Sequence, residues 1–210
     1  MTAWLAPDVR AVRVEADLVF LDIAADTYLC LVGAGQHLRL ETDGAVSCEI
    51  AEIAEDLIEA GLLTRDPGRS PPAVRRGLDD GEGMALTAAP VLAAVGANRR
   101  AARAIARQPF AKVLGMAGPL DARAFAPPPP ALLAESRRFA RLAPWLPHAG
   151  LCLMRSLQQR LYLAGRGHAA AWVFGVRTWP FEAHCWLQAG DVVLDDKPER
   201  VRMFTPILVV

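Results

Sequence analysis

Residues 182–196, EAHCWLQAGDVVLDD, run apolar and polar side chains up to a Gly190-Asp191 turn and then resume with Val192, Val193 and Leu194. Strand-like runs broken by a glycine turn predict an antiparallel hairpin, so the C-terminal part of the chain reads as sheet. Loop length decides which residues of a hairpin face one another. A three-residue loop at 189–191 pairs Gln188 with Val192 and sets His184 directly opposite Asp196 on one face. A two-residue loop at 190–191 sets Cys185 opposite Asp196 instead. Three-residue loops containing glycine are a common hairpin form, and the first register is the expectation; the second stays open. In the first, Asp195 points to the opposite face.

Upstream, LCLMRSLQQRLYLAGRG (151–167) spaces Leu153, Leu157 and Leu161 at i, i+4 and i+8, which predicts a helix closed by Gly165 and Gly167. Cys152 falls in its first turn. A thiol is a strong nucleophile only as thiolate, and the unpaired N–H groups of a helix N-terminus favour that form. The cysteine's own N–H can also face a developing oxyanion. With His184 as base and Asp196 orienting the imidazole, the three residue types make a nucleophile, base and orienter set. The plain alternative for Cys152 is a small apolar residue on a buried turn. Strand alternation sends Cys185 to the far face of its strand, where it packs in the core. His148 and His168 read as loop residues, and Trp172, Trp179 and Trp186 as core, with Trp186 on the face of His184. Cys152, His184 and Cys185 lack the CxxC or HxxxH spacing of a zinc site, and no metal is expected.

Before this helix, LLAESRRFARLAPWLP is a helix ended by Pro144, APPPPA (126–131) an extended connector, and the Ala- and Arg-rich stretch 84–116 one or two scaffold helices with solvated basic faces. RDPGRSPP (65–72) breaks regular structure. Before it, residues 12–31 read as a meander of three short strands and residues 46–60 as a helix. The expected organisation is α+β: a small N-terminal domain of three short strands plus helices at 1–66, a linker at 67–83, and a second domain at 84–210.

Composition narrows the function classes. Hydrophobic residues are 53% and charged ones 22%, a globular balance. Lys plus Arg equals Asp plus Glu at 23 each, so no net field draws the chain to nucleic acid or an acidic membrane. Its most apolar stretch, 84–97, is shorter than a membrane span, and MTAWLAPDVR lacks a signal-peptide pattern, which predicts a cytoplasmic protein. Four dispersed cysteines do not suggest a disulfide framework.

Over residues 151–196 the chain resembles the transglutaminase-like cysteine peptidase of lasso-peptide biosynthesis, the B protein that removes the leader. The matching frame is Cys-Leu-x-Arg-Ser-Leu at the helix start, Arg-Gly-His, Gly-Val-Arg, Ala-His-x-Trp and Val-Leu-x-Asp. The resemblance implies a transglutaminase/papain-like peptidase domain with Cys152 as nucleophile, His184 as base and Asp196 as orienting acid. The family often has Asn where Asp195 stands. DLVFLDIAADTYLCL resembles strands of the small winged-helix, PqqD-like precursor-recognition domain. It implies leader binding by strand addition at Thr27, Tyr28, Leu29, Cys30 and Leu31, beside the helix at 46–60. The implied partners are a precursor peptide and an ATP-dependent macrolactam synthetase; no cofactor is implied, and the chain itself has no P-loop pattern. The same acyl-enzyme could serve a transferase, and a degenerate site would leave a non-catalytic precursor chaperone. Papain-like enzymes place a side-chain amide shortly before the cysteine, but Leu146 stands there.

Overall fold

A computed structural model of the 210-residue chain describes residues 2–41, 45–64, 76–78, 87–118, 121–147 and 151–210. The chain divides into two compact units. One holds Met1–Pro72 with Val176–Glu182 and Thr205–Leu208, the other Ala73–Gly175 with Ala183–Phe204 and Val209–Val210.

The first unit contains strands β1 (Thr2–Leu5), β2 (Val9–Val14), β3 (Asp17–Asp22), β4 (Thr27–Leu31), β5 (Leu38–Leu40) and β6 (Ala45–Cys48), helix α1 (Ala51–Glu59), and β7 (Leu63–Thr64). The expected meander is present as an antiparallel sheet of order β2-β3-β4. Its central strand buries Leu18, Val19, Phe20 and Leu21 on both faces, and β4 is an edge strand. A second sheet, of order β5-β6-β1-β7, was not anticipated. Its strands are two to four residues long, too short to show a period. The helix expected at 46–60 is corrected accordingly. Residues 46–48 are strand, where Val46 and Cys48 are buried and β6 pairs with β1 and β5. Ile50 is still extended, and the helix starts only at Ala51. The N-terminal unit is thus two small sheets with one α-helix among its described residues, not three strands plus helices. Helix α1 packs against β6 and β7, strands of the sheet to which β4 does not belong.

The second unit begins, among described residues, with β8 (Arg76–Gly77). The chain continues through α2 (Ala88–Arg107), α3 (Phe110–Gly115), α4 (Pro130–Leu142), α5 (Cys152–Ala164), β9 (Ala171–Arg177), β10 (Glu182–Ala189), β11 (Val192–Val193), α6 (Pro198–Val201) and β12 (Thr205–Val209), of which the end of β9, the first residue of β10 and residues 205–208 of β12 count with the first unit. The expected boundary at 65–72 and most of the 67–83 linker lie outside the described residues. Within that linker span, β8 pairs in parallel with β11. The 84–116 stretch forms two helices, α2 and α3, as its composition suggested; residues 84–86 lie outside the described set. Pro129 and Pro130 start α4, where a missing N–H costs nothing because first-turn N–H groups have no helical partner. The strands form a sheet of order β12-β9-β10-β11-β8, with β12 a further unanticipated strand. Helix α5 packs on α2 and α4.

The hairpin register is also corrected. Gln188 pairs with Val193 and Ala189 with Val192, so the loop is the two-residue Gly190-Asp191 form. Gly190 has φ +54, the positive value that a two-residue hairpin turn needs at its first central position. A Cβ there would meet the Ala126 carbonyl oxygen at 2.6 Å, and the Gly190 N–H donates to the Ala124 carbonyl at 2.7 Å. This close approach fixes the tighter loop.

Candidate active site

Three elements converge on Cys152: the start of α5, the middle of β10, and the bend after β11. Leu151, the residue before α5, is extended and offers no side-chain cap. Leu151 therefore contributes no side-chain acceptor to the first-turn N–H groups, Cys152's own among them. Cys152 is partly buried and hydrogen-bonded to the thiol and backbone N–H of Cys185 and to the His184 imidazole. These bonds, the Cys185 thiol first and His184 second, outweigh burial and hold the Cys152 pKa at about 3. At neutral pH the sulfur is a thiolate.

His184 is 4% exposed. Its Nε2 lies 2.7 Å from Asp196 Oδ2, so Nδ1 is the nitrogen left for Cys152. Burial works against the imidazolium, but the Asp196 and Cys152 bonds prevail and raise its pKa to about 9. Trp186 stacks beside it with ring centroids 6.2 Å apart, and Phe204 lies at 5.0 Å. Gly175 makes room for both: a Cβ there would meet Trp186 and Phe204 at 2.9 Å.

The sequence-predicted set of Cys152, His184 and Asp196 is brought together, though not by the predicted register. The observed ladder, continued, would set Cys185 opposite Asp196. It stops instead at Val193, with one further bond from the Leu194 N–H to the Leu187 carbonyl at 2.9 Å. Residues 194–196 then bend, and the bend turns Asp196 to His184 and Asp195 elsewhere. Asp195 accepts from Ser156 Oγ at 2.5 Å and from the Leu187 N–H at 2.7 Å. Its burial overrides those bonds and lifts its pKa to about 6. Asp196 keeps its charge. Burial opposes ionisation there too, but His184, the Lys197 N–H and Arg155 lower its pKa to about 2. Of the two acids, Asp196 is the one bonded to the imidazole.

Two expectations about neighbouring residues change. Cys185 is buried, as anticipated, yet it is not remote from the site, because both its thiol and its N–H reach the Cys152 sulfur. Bonded to a thiolate and buried, its own pKa is pushed up, so it stays a neutral donor. Trp179 is not core: it is 67% exposed, with its indole N–H donating to Asp17 at 2.8 Å. Trp172 and Trp186 are fully buried. His168 lies in a loop after α5, and His148 is outside the described residues. Among the described residues no cluster of His, Cys, Asp and Glu is arranged to hold a metal ion.

Arg155 and Ser156 are missed by reading the sequence for nucleophile, base and acid alone. Arg155 Nη2 donates to Asp196 Oδ2 at 2.9 Å. The spacing signal was available: Arg155 is three residues after Cys152 and so lies on the same helix face.

On β4, Thr27 and Leu29 are exposed and Tyr28, Cys30 and Leu31 are half-buried. Tyr28 packs against Phe181 with ring centroids 5.7 Å apart, and Leu29 is 41% exposed.

A family model of the transglutaminase-like superfamily matches residues 92–209, more than half of the chain, and the chain belongs to that superfamily. The superfamily includes cysteine peptidases and acyltransferases, and its members are typically cysteine-dependent enzymes. No curated protein and no solved structure matches the chain. No helix among the described residues is long and apolar enough to cross a membrane.

Proposed function

We propose that this transglutaminase-like chain is a cysteine peptidase of lasso-peptide maturation. It binds a ribosomal precursor by its leader and hydrolyses the leader–core bond, freeing the core N-terminus for an ATP-dependent macrolactam synthetase, in the cytoplasm. The observation that carries the reading is the hydrogen-bonded chain Cys152–His184–Asp196, with the cysteine at an uncapped helix start. The sequence frame around it, from Cys-Leu-x-Arg-Ser-Leu to Val-Leu-x-Asp, supports the lasso assignment over a general peptidase.

The chemistry follows from the resting ion pair. The Cys152 thiolate attacks the scissile carbonyl carbon, and the carbonyl electron pair moves to oxygen, where the Cys152 N–H at the start of α5 stabilises it. As the C–N bond breaks, the His184 imidazolium gives its Nδ1 proton to the departing amine. The products of this half are a leader thioester and a free core amine. Neutral His184 then takes a proton from water, hydroxide adds to the thioester carbon, and the Cys152 thiolate leaves. Asp196 holds Nε2 throughout and so keeps Nδ1 turned to sulfur.

Leader capture is assigned to the edge of β4, Thr27, Tyr28, Leu29, Cys30 and Leu31, in a PqqD-like precursor-recognition role. Strand β4 ends its sheet among the described residues, the place where an added strand would pair, and the exposed Leu29 is an apolar contact for an alternate side chain of the peptide. Tethering the leader makes encounter with Cys152 intramolecular and lets each interaction be weak.

The test is incubation with the precursor encoded beside the gene, read by mass. Leader and core separated by addition of one water is the expected product. An amine adduct of the leader in place of the water adduct would move the assignment to an acyltransferase. Binding without either product, together with no alkylation of Cys152 at neutral pH, would leave a precursor chaperone.

A further inference from the structure

The acid of the site has no ladder to hold it. Strand β11 is two residues long, and the chain bends through residues 194–196. What holds the bend comes from the helix that also carries the nucleophile. Arg155 Nη2 bonds Asp196 Oδ2 at 2.9 Å, and the next residue, Ser156, bonds Asp195 Oδ2 at 2.5 Å and the Cys185 carbonyl at 3.3 Å. Two consecutive residues of α5 thus grip two consecutive acids.

We infer that Arg155 is a positioning residue for catalysis, whose guanidinium locks Asp196 in place and in charge so that the acid can orient His184. The proposal rests on the assignment of Cys152, His184 and Asp196 as the reacting set and extends it by one member.

Three observations support it. Arg155 and His184 bond the same oxygen of Asp196, Oδ2, while Oδ1 takes the Lys197 N–H at 2.7 Å, so the carboxylate is held from three sides. Rotation of that carboxylate would break all three bonds. The charged and titratable groups facing Asp196 are Arg155 from α5, His184 from β10 and the adjacent buried Asp195; Cys152 lies beyond His184. Of these only Arg155 is a permanent cation, and Asp195 repels. Without Arg155, Asp196 would be a largely buried carboxylate, 8% exposed at its side chain, next to a second acid. Finally, Arg155 is itself three-quarters buried, with its Nη2 turned to Asp196. A charge-assisted bond from a planar guanidinium gives direction as well as attraction, which a surface cation would not.

The sign of the effect follows from the depressed Asp196. Losing a nearby cation lets its pKa rise toward the ordinary carboxylate range. As pH falls through that raised value the imidazolium loses its counter-charge, and the Cys152 thiolate is lost with it. The low-pH limb of thiol reactivity should therefore move up.

The experiment is the rate of Cys152 alkylation by iodoacetamide from pH 2.5 to 8 on the full chain, for the wild type, Arg155→Met and Arg155→Lys, with circular dichroism confirming the fold at each pH. Arg155→Met should move the acid-limb midpoint up by about one pH unit and slow alkylation at pH 4 roughly 10-fold. Arg155→Lys keeps a cation and a donor and should hold the midpoint within about 0.3 unit. A packing role would lower the amplitude or the melting temperature without moving the midpoint, so an unmoved midpoint in Arg155→Met overturns the proposal. Should Arg155→Met not fold, Arg155→Gln takes its place: a shifted midpoint supports the proposal and an unshifted one overturns it. Alkylation needs no peptide, so failure of every precursor to be cut would count against the peptidase reading and leave this result standing.

Discussion

The two units bury polar groups very differently. Among described residues the first unit buries a single polar side chain, Asp17, whereas the second buries nine, from Asn98 through Glu135, Ser156 and Arg160 to His184 and Gln188. A buried polar group costs roughly 1–3 kcal/mol when left unpaired, and several of these are bonded to one another or to backbone, as Gln158 is to Asn98 and Ser156 to Asp195, whereas the Ser136 hydroxyl has no partner among the described residues. The proposed function of the second unit accordingly rests on side-chain contacts. The first unit buries only Asp17 in this way among its described residues, and its proposed binding surface is main chain at the edge of a sheet.

That contrast can be broken most severely at Cys152. Cys152→Ala should abolish cleavage, a loss of at least roughly 10³-fold, while leaving precursor affinity unchanged. Titration of precursor into the variant, followed by mass analysis, separates the two. Wild-type cleavage by the variant would remove the nucleophile assignment, and lost binding would place recognition in the second unit.

The adjacent acids provide the next test. Asp196→Asn should lower turnover about 10²- to 10⁴-fold with the fold intact, because an amide neither fixes the imidazole tautomer nor supports the imidazolium. Asp195→Asn should cost far less activity. Comparable losses in both would mean that the pair acts as a unit. In wild type, activity should form a plateau bounded by Cys152 at about 3 and His184 at about 9, falling below the first as the thiolate protonates and above the second as the imidazolium is lost.

Asp195 also sets a stability effect of opposite sign to its neighbour. Its folded pKa, about 6, lies above the ordinary value, so its contribution to stability is full below about pH 4 and lost as pH rises through 6. The size is on the order of 3 kcal/mol. Asp196, depressed to about 2, contributes above the ordinary carboxylate pKa and loses that contribution as pH falls through 2. Melting curves of wild type against Asp195→Asn between pH 4 and 7 should therefore converge or cross, with the variant's melting temperature the flatter of the two. Parallel curves would show that Asp195 ionises freely.

What the sequence disclosed follows the same division. Cys152, His184 and Asp196 were legible because nucleophile, base and acid are marked by residue type, and the α5 period placed the cysteine at a helix start. The hairpin was legible from Gly190, but its register was not, because the deciding contact, the Ala126 carbonyl against Gly190, is long-range. Asp196 still meets His184 despite the different register because the chain bends after Leu194. Arg155 stood in the Cys-Leu-x-Arg-Ser-Leu frame, but its bond to Asp196 was not legible because that partner lies 41 residues away. In the first unit the meander was visible through the apolar run of β3, whereas β1, β5, β6 and β7 are too short to carry a pattern and are fixed by pairing alone.

The smallest effect is expected at the edge strand, where the contrast between side-chain and main-chain function is tested directly. Most affinity in strand addition resides in backbone hydrogen bonds, so a side-chain change on β4 should be mild. Leu29→Asp puts a charge on the exposed face without removing a backbone donor, and should weaken precursor binding about 10-fold, close to the value of one apolar contact plus local repulsion. A short peptide spanning only the scissile bond bypasses leader capture, so its cleavage rate should not change. Fluorescence anisotropy of labelled precursor, run beside cleavage of the short peptide, measures both. Equal losses in the two assays would show that Leu29 acts on the fold, and unchanged binding would move leader recognition away from β4.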